Sequence, residues 1–568
     1  MLTTKGKRKS RKSSNSPGIT DKGHSNTLIV DKHKGPYKTI QSAIDDAIPS
    51  SIIKIESGLY KENLVIKVPN LFIEPLTELS EVYLVSSNGP SIFVEISKKK
   101  ALNIQGLNIS NKGHYRVKKQ YDEEYNQETK YYKQLYSHLE VLMKTESFPQ
   151  CENLIYLKKG SLFLNNCKLS LNLFYKTSSD YTSSIYMMKK SKCVINDCQF
   201  IGSKLFLTNA ITVNNADLSI RNSIIKNHMG IGIMLKLSPL NICSIYMCEI
   251  MDNNIGVFSG GENYKSKITE CNILNNNLGL FICLGNEILI YKSNIKNNVN
   301  GIYITNADAY VEENNIELNF KNGIKVLSTQ GLLSKPRIKD NNISYNMKCG
   351  IKCKGENNLS VIKSNNISKN KEKGISCLKK ANVVVFNNYI FSNMGVGVCI
   401  ADSSAAFIEK NEIYSNIKAN IAVGGTSNED TTILNNKIYW SRCEGIFLLQ
   451  SYKIRIKMNE IYENQIGIVS INSSPICFKN DITKNKTHGI LSVKKSNIVI
   501  NQNTIKENEK VGLFMRDYFM LEASENTIEE NKIGLIVEKR KYNQIDLSEN
   551  NQLQNEVRHP KYSICHIF

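Results

Sequence analysis

The chain has 568 residues, 41% hydrophobic and 22% charged, and its 73 Lys and Arg outweigh 52 Asp and Glu to give a net charge of +21. No run of about 18 apolar residues occurs, which excludes a transmembrane helix. The opening MLTTKGKRKSRKSS lacks the apolar stretch of a secretory signal. Fifteen cysteines without a CxxC pair are then expected to be free thiols of a reducing compartment, not a disulfide framework or a zinc site.

In chain order, residues 1–27 read as a disordered basic tail. Lys5, Lys7, Arg8, Lys9, Arg11 and Lys12 are concentrated there in a Ser/Gly-rich context too polar to fold alone and suited to an acidic partner. Residues 28–112 read as an N-terminal cap and the first coils of a rod. Thr39 caps a short helix whose Ile40, Ala43, Ile44, Ala47 and Ile48 share one face, and Pro49 stops it. IIKI and ENLVI follow as strands joined by Gly58-Leu59-Tyr60. Residues 113–150 break the pattern as a Tyr-rich insertion, with Tyr125, Tyr132, Leu135, Leu139 and Leu142 at helical spacing, and read as a helical excursion packed on the rod or a partly disordered loop. Residues 151–560 carry the repeats, and 561–568 form the C-terminal end.

One unit recurs from about residue 220: Asn-x-Ile-x-x-Asn, a short polar gap, then Gly-Ile-x-Ile. Its glycine step falls at Gly230, Gly256, Gly279, Gly301, Gly323, Gly350, Gly374, Gly397, Gly445, Gly467, Gly489, Gly512 and Gly534, 22 to 27 residues apart, with Asn420 filling the place between Gly397 and Gly445. Such a unit holds three short strands and has no room for a crossover helix. Each coil must stack on the next at about 4.8 Å, as a parallel β-helix. Asparagines repeat in frame with this. A first ladder runs Asn314, Asn341, Asn365, Asn388, Asn411, Asn436, Asn459, Asn480, Asn503 and Asn526, continued upstream by Cys167, Cys198, Ser223, Cys248, Cys271 and Ser293. A second runs from Asn253 through Asn276, Asn298, Asn319, Asn346, Asn370, Asn393, Asn416, Asn464, Asn485 and Asn508 to Asn531, with His228 at its upstream position. Stacked amides can donate to one neighbour and accept from the other, and asparagine tolerates the left-handed backbone of a tight corner. Cys353 and Cys377 fall at the inward end of Gly-Ile-x-Ile.

The run Tyr37-x-Thr39-Ile40-Gln41-x-Ala43-Ile44, then Gly58-x-Tyr60-x-Glu62-Asn63, resembles the N-terminal cap of the pectin-lyase-like superfamily and is similar to the opening of pectinesterases. The repeats resemble those of carbohydrate-active β-helix enzymes and of the non-enzymatic F-box and Shc-binding β-helix proteins. The resemblance implies an all-β, right-handed parallel β-helix of 22–27-residue coils with a short capping helix. It does not decide activity.

The catalytic motifs of those enzymes find no match. Arg337-Ile338-Lys339 agrees with a polygalacturonase substrate-binding tripeptide in letters alone. The acids that could hold calcium in a lyase-like site, Asp252, Asp308, Asp340, Asp402 and Asp481, occupy different repeat positions and read as turn residues. His228 and His488 read as corner and loop residues without an aligned carboxylate. No catalytic residue, cofactor or metal is therefore expected, and the chain reads as a non-catalytic intracellular scaffold in a large assembly.

The basic balance points to acidic protein partners, with microtubules in a cytoskeletal or ciliary setting as the leading expectation. A single Trp and scattered positive residues disfavour nucleic acid, and no membrane association is expected. The alternatives are a divergent enzyme acting on an acidic polysaccharide, as a lyase or pectinesterase-like esterase, and a ubiquitin-ligase substrate adaptor.

Overall fold

The computed structural model describes residues 26–86, 89–111, 153–171, 182–204, 207–263, 265–329, 331–426, 430–516 and 520–537, with two further strands at Gln544–Leu547 and Gln552–Gln554. The basic run Lys5, Lys7, Arg8, Lys9, Arg11 and Lys12, the 113–150 insertion and the 561–568 end lie outside the described residues. The first strand, Thr27–Val30, begins at the last residue assigned to the tail.

The chain winds through about 19 turns of a β-solenoid. Each regular turn gives one short strand to each of three parallel sheets. In one coil, Lys267–Thr269 joins the first sheet, Asn272–Leu274 the second and Leu278–Cys283 the third. They pair with Leu289–Tyr291, Asn294–Lys296 and Asn300–Thr305 of the next coil. The period of two within each strand turns alternate side chains inward. Ile268 and Ile290, Ile273 and Ile295, and Leu280 and Ile302 therefore stack at equivalent buried positions in one continuous core. Cys353 and Cys377 are neighbours in this core. Every described cysteine is a free thiol.

Both asparagine ladders form as the repeat frame requires. In the first, at the corner between the first and second sheets, the Asn314 backbone N–H and Nδ2 both donate to Asn341 Oδ1, at 2.9 and 3.0 Å. The same double donation links Asn365 to Asn388 and Asn503 to Asn526. Nδ2 of Asn314 also reaches the Ile290 and Glu312 carbonyls, so the buried amide is fully paired. Upstream, hydroxyl and thiol take over the acceptor role: the Cys198 and Cys271 N–H groups donate to Ser223 and Ser293 Oγ, and Cys167 N–H to Cys198 Sγ.

The left-handed residue of each corner is not the ladder asparagine but the one before it. Positive φ falls on Glu313, Asp340, Ser364 and Lys410 at the first corner and on Leu318, Tyr345 and Trp440 at the second. The ladder amide's bonds to the next coil hold the corner, so the preceding position accepts many side chains.

The repeat glycines answer a different need. None of the stacked glycines takes positive φ. A Cβ on Gly374 would lie 2.6 Å from the Gly397 carbonyl oxygen and 3.0 Å from Asn393 Nδ2. Close coil-to-coil approach therefore requires glycine. At the upstream end the stacked residue is Gly232, not Gly230: Ile231 pairs with Ile255, and a Cβ on Gly232 would meet the Gly256 oxygen.

The cap motif proves to be a structural lock. Thr39 caps the helix Ile40–Asp45 by accepting from the Ser42 N–H. Glu62 supplies its two carboxylate oxygens to the Ile40 and Gln41 N–H groups, both at 3.0 Å, where the helix start favours negative charge. Gln41 in turn accepts from the Val65 N–H at 2.8 Å. The helix ends before the predicted face does, leaving Ala47 buried and Ile48 exposed beyond it.

Candidate interaction corner

The residues that could have carried chemistry are dispersed. Asp252, Asp340 and Asp402 sit in turns with φ near +55°. The Asp308 carboxylate accepts the Lys335 N–H. Asp481 lies in a second-sheet strand between Glu460 and Thr504, where burial pushes its pKa up. Among the described residues no three His, Cys, Asp or Glu side chains are grouped to hold a metal ion. Arg337 stands on the first sheet with its guanidinium over the Tyr310 ring, and Lys339 pairs with Asp340. His228 is fully buried, and burial lowers its pKa to about 3, so it stays neutral. Its backbone N–H donates to Asn253 Oδ1, making it the upstream end of the second ladder. His488 is half-buried against Phe514, its pKa lowered by burial and then by Lys510.

What the rod does concentrate is a corner. Between the second and third sheets the second asparagine ladder runs buried, and the residues on either side of each asparagine point outward. One row holds Leu318, Tyr345 and Trp440; the other holds Phe320, Met347, Met394 and Ile417. All seven are exposed, Phe320 by 61% and Trp440 by 54%. Surface apolar residues scattered singly need no explanation, but here the second row is apolar in four of the five coils from Phe320 to Ile417, broken at Lys371, and the first adds Leu318 and Tyr345 at one end and Trp440 at the other, with Lys369, Ser392 and Ser415 between. The sequence frame explains the alignment, since every member is adjacent to a second-ladder position in its coil. The four-residue corner turns are also basic. Lys321, Lys348, Lys369, Lys371, Lys418 and Arg442 face a single acid, Glu372, within 318–321, 345–348, 369–372, 392–395, 415–418 and 440–443. The Lys369 ammonium donates to Tyr345 Oη at 2.9 Å and lies over its ring.

At its downstream end the corner is braced by stacked aromatics on the second sheet. Phe391, Tyr414, Tyr439 and Tyr462 occupy one register line, their rings parallel and 4.8 to 4.9 Å apart, which is the coil spacing itself. Tyr439 packs edge-on against Trp440 at 4.9 Å. Its hydroxyl donates to Glu412, and the Trp440 indole N–H donates to Glu463. Burial first, and Glu412 beside it, push the Tyr439 hydroxyl well above its usual range. A rigid, hydrogen-bonded Trp that still exposes half its surface is the residue type most enriched at binding hot spots. Sequence reasoning missed this corner by treating the ladder asparagines as the whole signal and leaving the residues beside them unread.

A family model described as right handed beta helix region matches residues 209–362, 332–407 and 396–552. No curated protein sequence matches the chain. Among solved structures, the chain is similar to the periplasmic alginate epimerase AlgG, at 12% identity and a TM-score of 0.24 over 84% of this chain and 80% of that one. It is also similar to the A-module of Azotobacter vinelandii mannuronan C-5 epimerase AlgE6, at 11% identity and 0.29 over 70% and 91%. Pectate lyase Pel9A aligns at 12% identity and 0.24 over 64% and 76%. At these values the likenesses do not bear on what this chain does.

Proposed function

The chain belongs to the right-handed β-helix family, and from that premise we propose that it is a non-catalytic interaction rod that docks a protein partner along the corner between its second and third sheets. The observation that carries this reading is the double row of exposed apolar side chains, from Leu318 to Trp440, on a scaffold whose backbone is pinned coil by coil. A rigid surface loses little conformational freedom on binding, so apolar area buried there converts efficiently to affinity. The dispersal of Asp252, Asp308, Asp340, Asp402 and Asp481 over separate turns and sheets supports the non-catalytic part, because acid–base work on a glycosidic bond needs paired carboxylates flanking one bond.

Photo-crosslinking from Ile417, with Phe407 on the first sheet as a control, tests the reading. A defined protein joined at Ile417 and not at Phe407, and lost on Met394→Asp substitution, is the expected result. Conversion of polymannuronate or pectate by the purified chain overturns the non-catalytic assignment. Equal crosslinking from both positions overturns the docking assignment.

A further inference from the structure

Resting on that docking reading, we infer that the occupant of the corner is an amphipathic α-helix with acidic flanks, lying parallel to the rod axis. The first argument is spacing. The corner presents one outward step per coil, and the aromatic stack beside it measures that step as 4.8 to 4.9 Å. An α-helix brings its apolar stripe round every 3.6 residues, about 5.4 Å along its axis. An extended strand repeats a face only every second residue, about 6.6 Å. Over the five steps between the coils of Phe320 and Arg442 the rod advances about 24 Å, which matches about 16 residues of helix. Across that distance the strand's repeat falls behind the coils by about 1.4 positions, and the helix's by about 0.6.

The second argument is charge. Phe320, Met347 and Ile417 are each followed in their own coil by a lysine, Lys321, Lys348 and Lys418, while Lys371 and Arg442 take the apolar member's place in two of the six coils. A helix whose apolar stripe lies on the first set brings its flanking positions over the second. Carboxylates there meet cations, whereas lysines there meet like charge, which costs affinity and slows encounter. The mixture of apolar and basic groups distinguishes such a helix from a purely polyanionic ligand, which would leave the apolar rows in water.

Trp440 makes the test specific, because it is the chain's single tryptophan and stands on the corner. The full chain is titrated with four Trp-free probes, following its emission. They are an 18-residue helical Leu/Glu peptide with one apolar stripe, the same peptide with Lys for Glu, a peptide of identical composition alternating Leu and Glu, and polyglutamate. The helical acidic peptide is expected to shift the Trp440 emission to the blue and to bind at least tenfold more tightly than the other three. Its affinity should fall at least tenfold in the Lys371→Glu/Lys418→Glu variant and in Ile417→Ser.

Equal binding by the alternating peptide overturns the helix assignment. Equal binding by polyglutamate, or competition by polygalacturonate as effective as the peptide's own, overturns the amphipathic assignment in favour of a bare polyanion. If the Ile417 crosslink to a protein persists in either case, the docking reading stands and only this inference falls. The probe comparison uses the unsubstituted chain, so it does not depend on any variant folding.

Discussion

Asn420 and Ser441 replace each other's neighbours in adjacent coils. Asn420 stands where the repeat has glycine, and Ser441 where the second ladder has asparagine. Asn416 Nδ2 donates to Asn420 Oδ1 at 2.9 Å, and Asn420 Nδ2 donates to Asn464 Oδ1 at 3.2 Å, so one displaced amide spans the gap left by Ser441. The exchange is sterically coupled. A Cβ at the equivalent Gly397 would lie 2.7 Å from Asn416 Nδ2, the next ladder amide, and Ser441 has no such amide to collide with Asn420.

A double-mutant cycle across these two positions should therefore be strongly non-additive. Asn420→Gly removes the bridging amide, and Ser441→Asn brings two amides into one space. Each alone should cost about 2–3 kcal/mol, while the double substitution rebuilds the regular coil and recovers most of that loss. Denaturant unfolding of the four proteins measures the coupling. Additive losses would show that the amide bridge does not hold this part of the ladder.

Removing a regular ladder member should be costly and local. Asn388→Ala deprives the Asn365 N–H and Nδ2 of their shared acceptor. Asn365 Nδ2 keeps the Ile338 and Lys363 carbonyls, so the one buried donor left unpaired is the backbone N–H, at a cost of about 1–3 kcal/mol. Hydrogen exchange should quicken at Asn365 and in the flanking coils while the cap helix Ile40–Asp45 stays protected, because stacked repeats contact only their neighbours.

Glycine substitutions should separate close approach from mere position. Gly374→Ala places a methyl 2.6 Å from a backbone oxygen that cannot move without shifting the next coil, whereas at Gly424 the nearest atom is 3.6 Å away. The first should destabilise by about 2–4 kcal/mol and the second by less than about 1 kcal/mol. Thermal unfolding of the two variants checks the difference.

His228 should make the rod acid-sensitive. Its folded pKa of about 3 lies below the unfolded value of 6.5, because burial disfavours the charged ring. The unfolded chain therefore takes up the proton first, and stability falls as pH drops from 6.5 towards 3, by up to about 1.4 kcal/mol per pH unit. His228→Asn puts the usual ladder residue in its place and should flatten this dependence in unfolding measured between pH 7 and 4. An unchanged slope would assign the acid sensitivity to other groups.

Much of this was legible from residue spacing. The Asn, Gly and Ile periods specified coil length, strand number, the inward set including Cys353 and Cys377, and the membership of both ladders, because a stacked solenoid repeats each environment every 22 to 27 residues. The same periodicity misplaced the upstream glycine at Gly230, where two glycines two residues apart fit the pattern equally and only strand pairing selects Gly232. It also assigned the left-handed backbone to the ladder asparagines, a matter of corner geometry that residue preference does not decide.

Sequence by itself thus determined the fold and its internal hydrogen-bond order, since both follow from identical contacts repeated along one axis. Only the tertiary structure decided that Glu62 locks the cap helix, that Asn420 bridges the gap at Ser441, and that Leu318, Phe320, Met394, Ile417 and Trp440 share one exposed corner. Those relationships depend on which way side chains turn at a corner and on which neighbour they meet across coils, and neither is encoded in spacing alone.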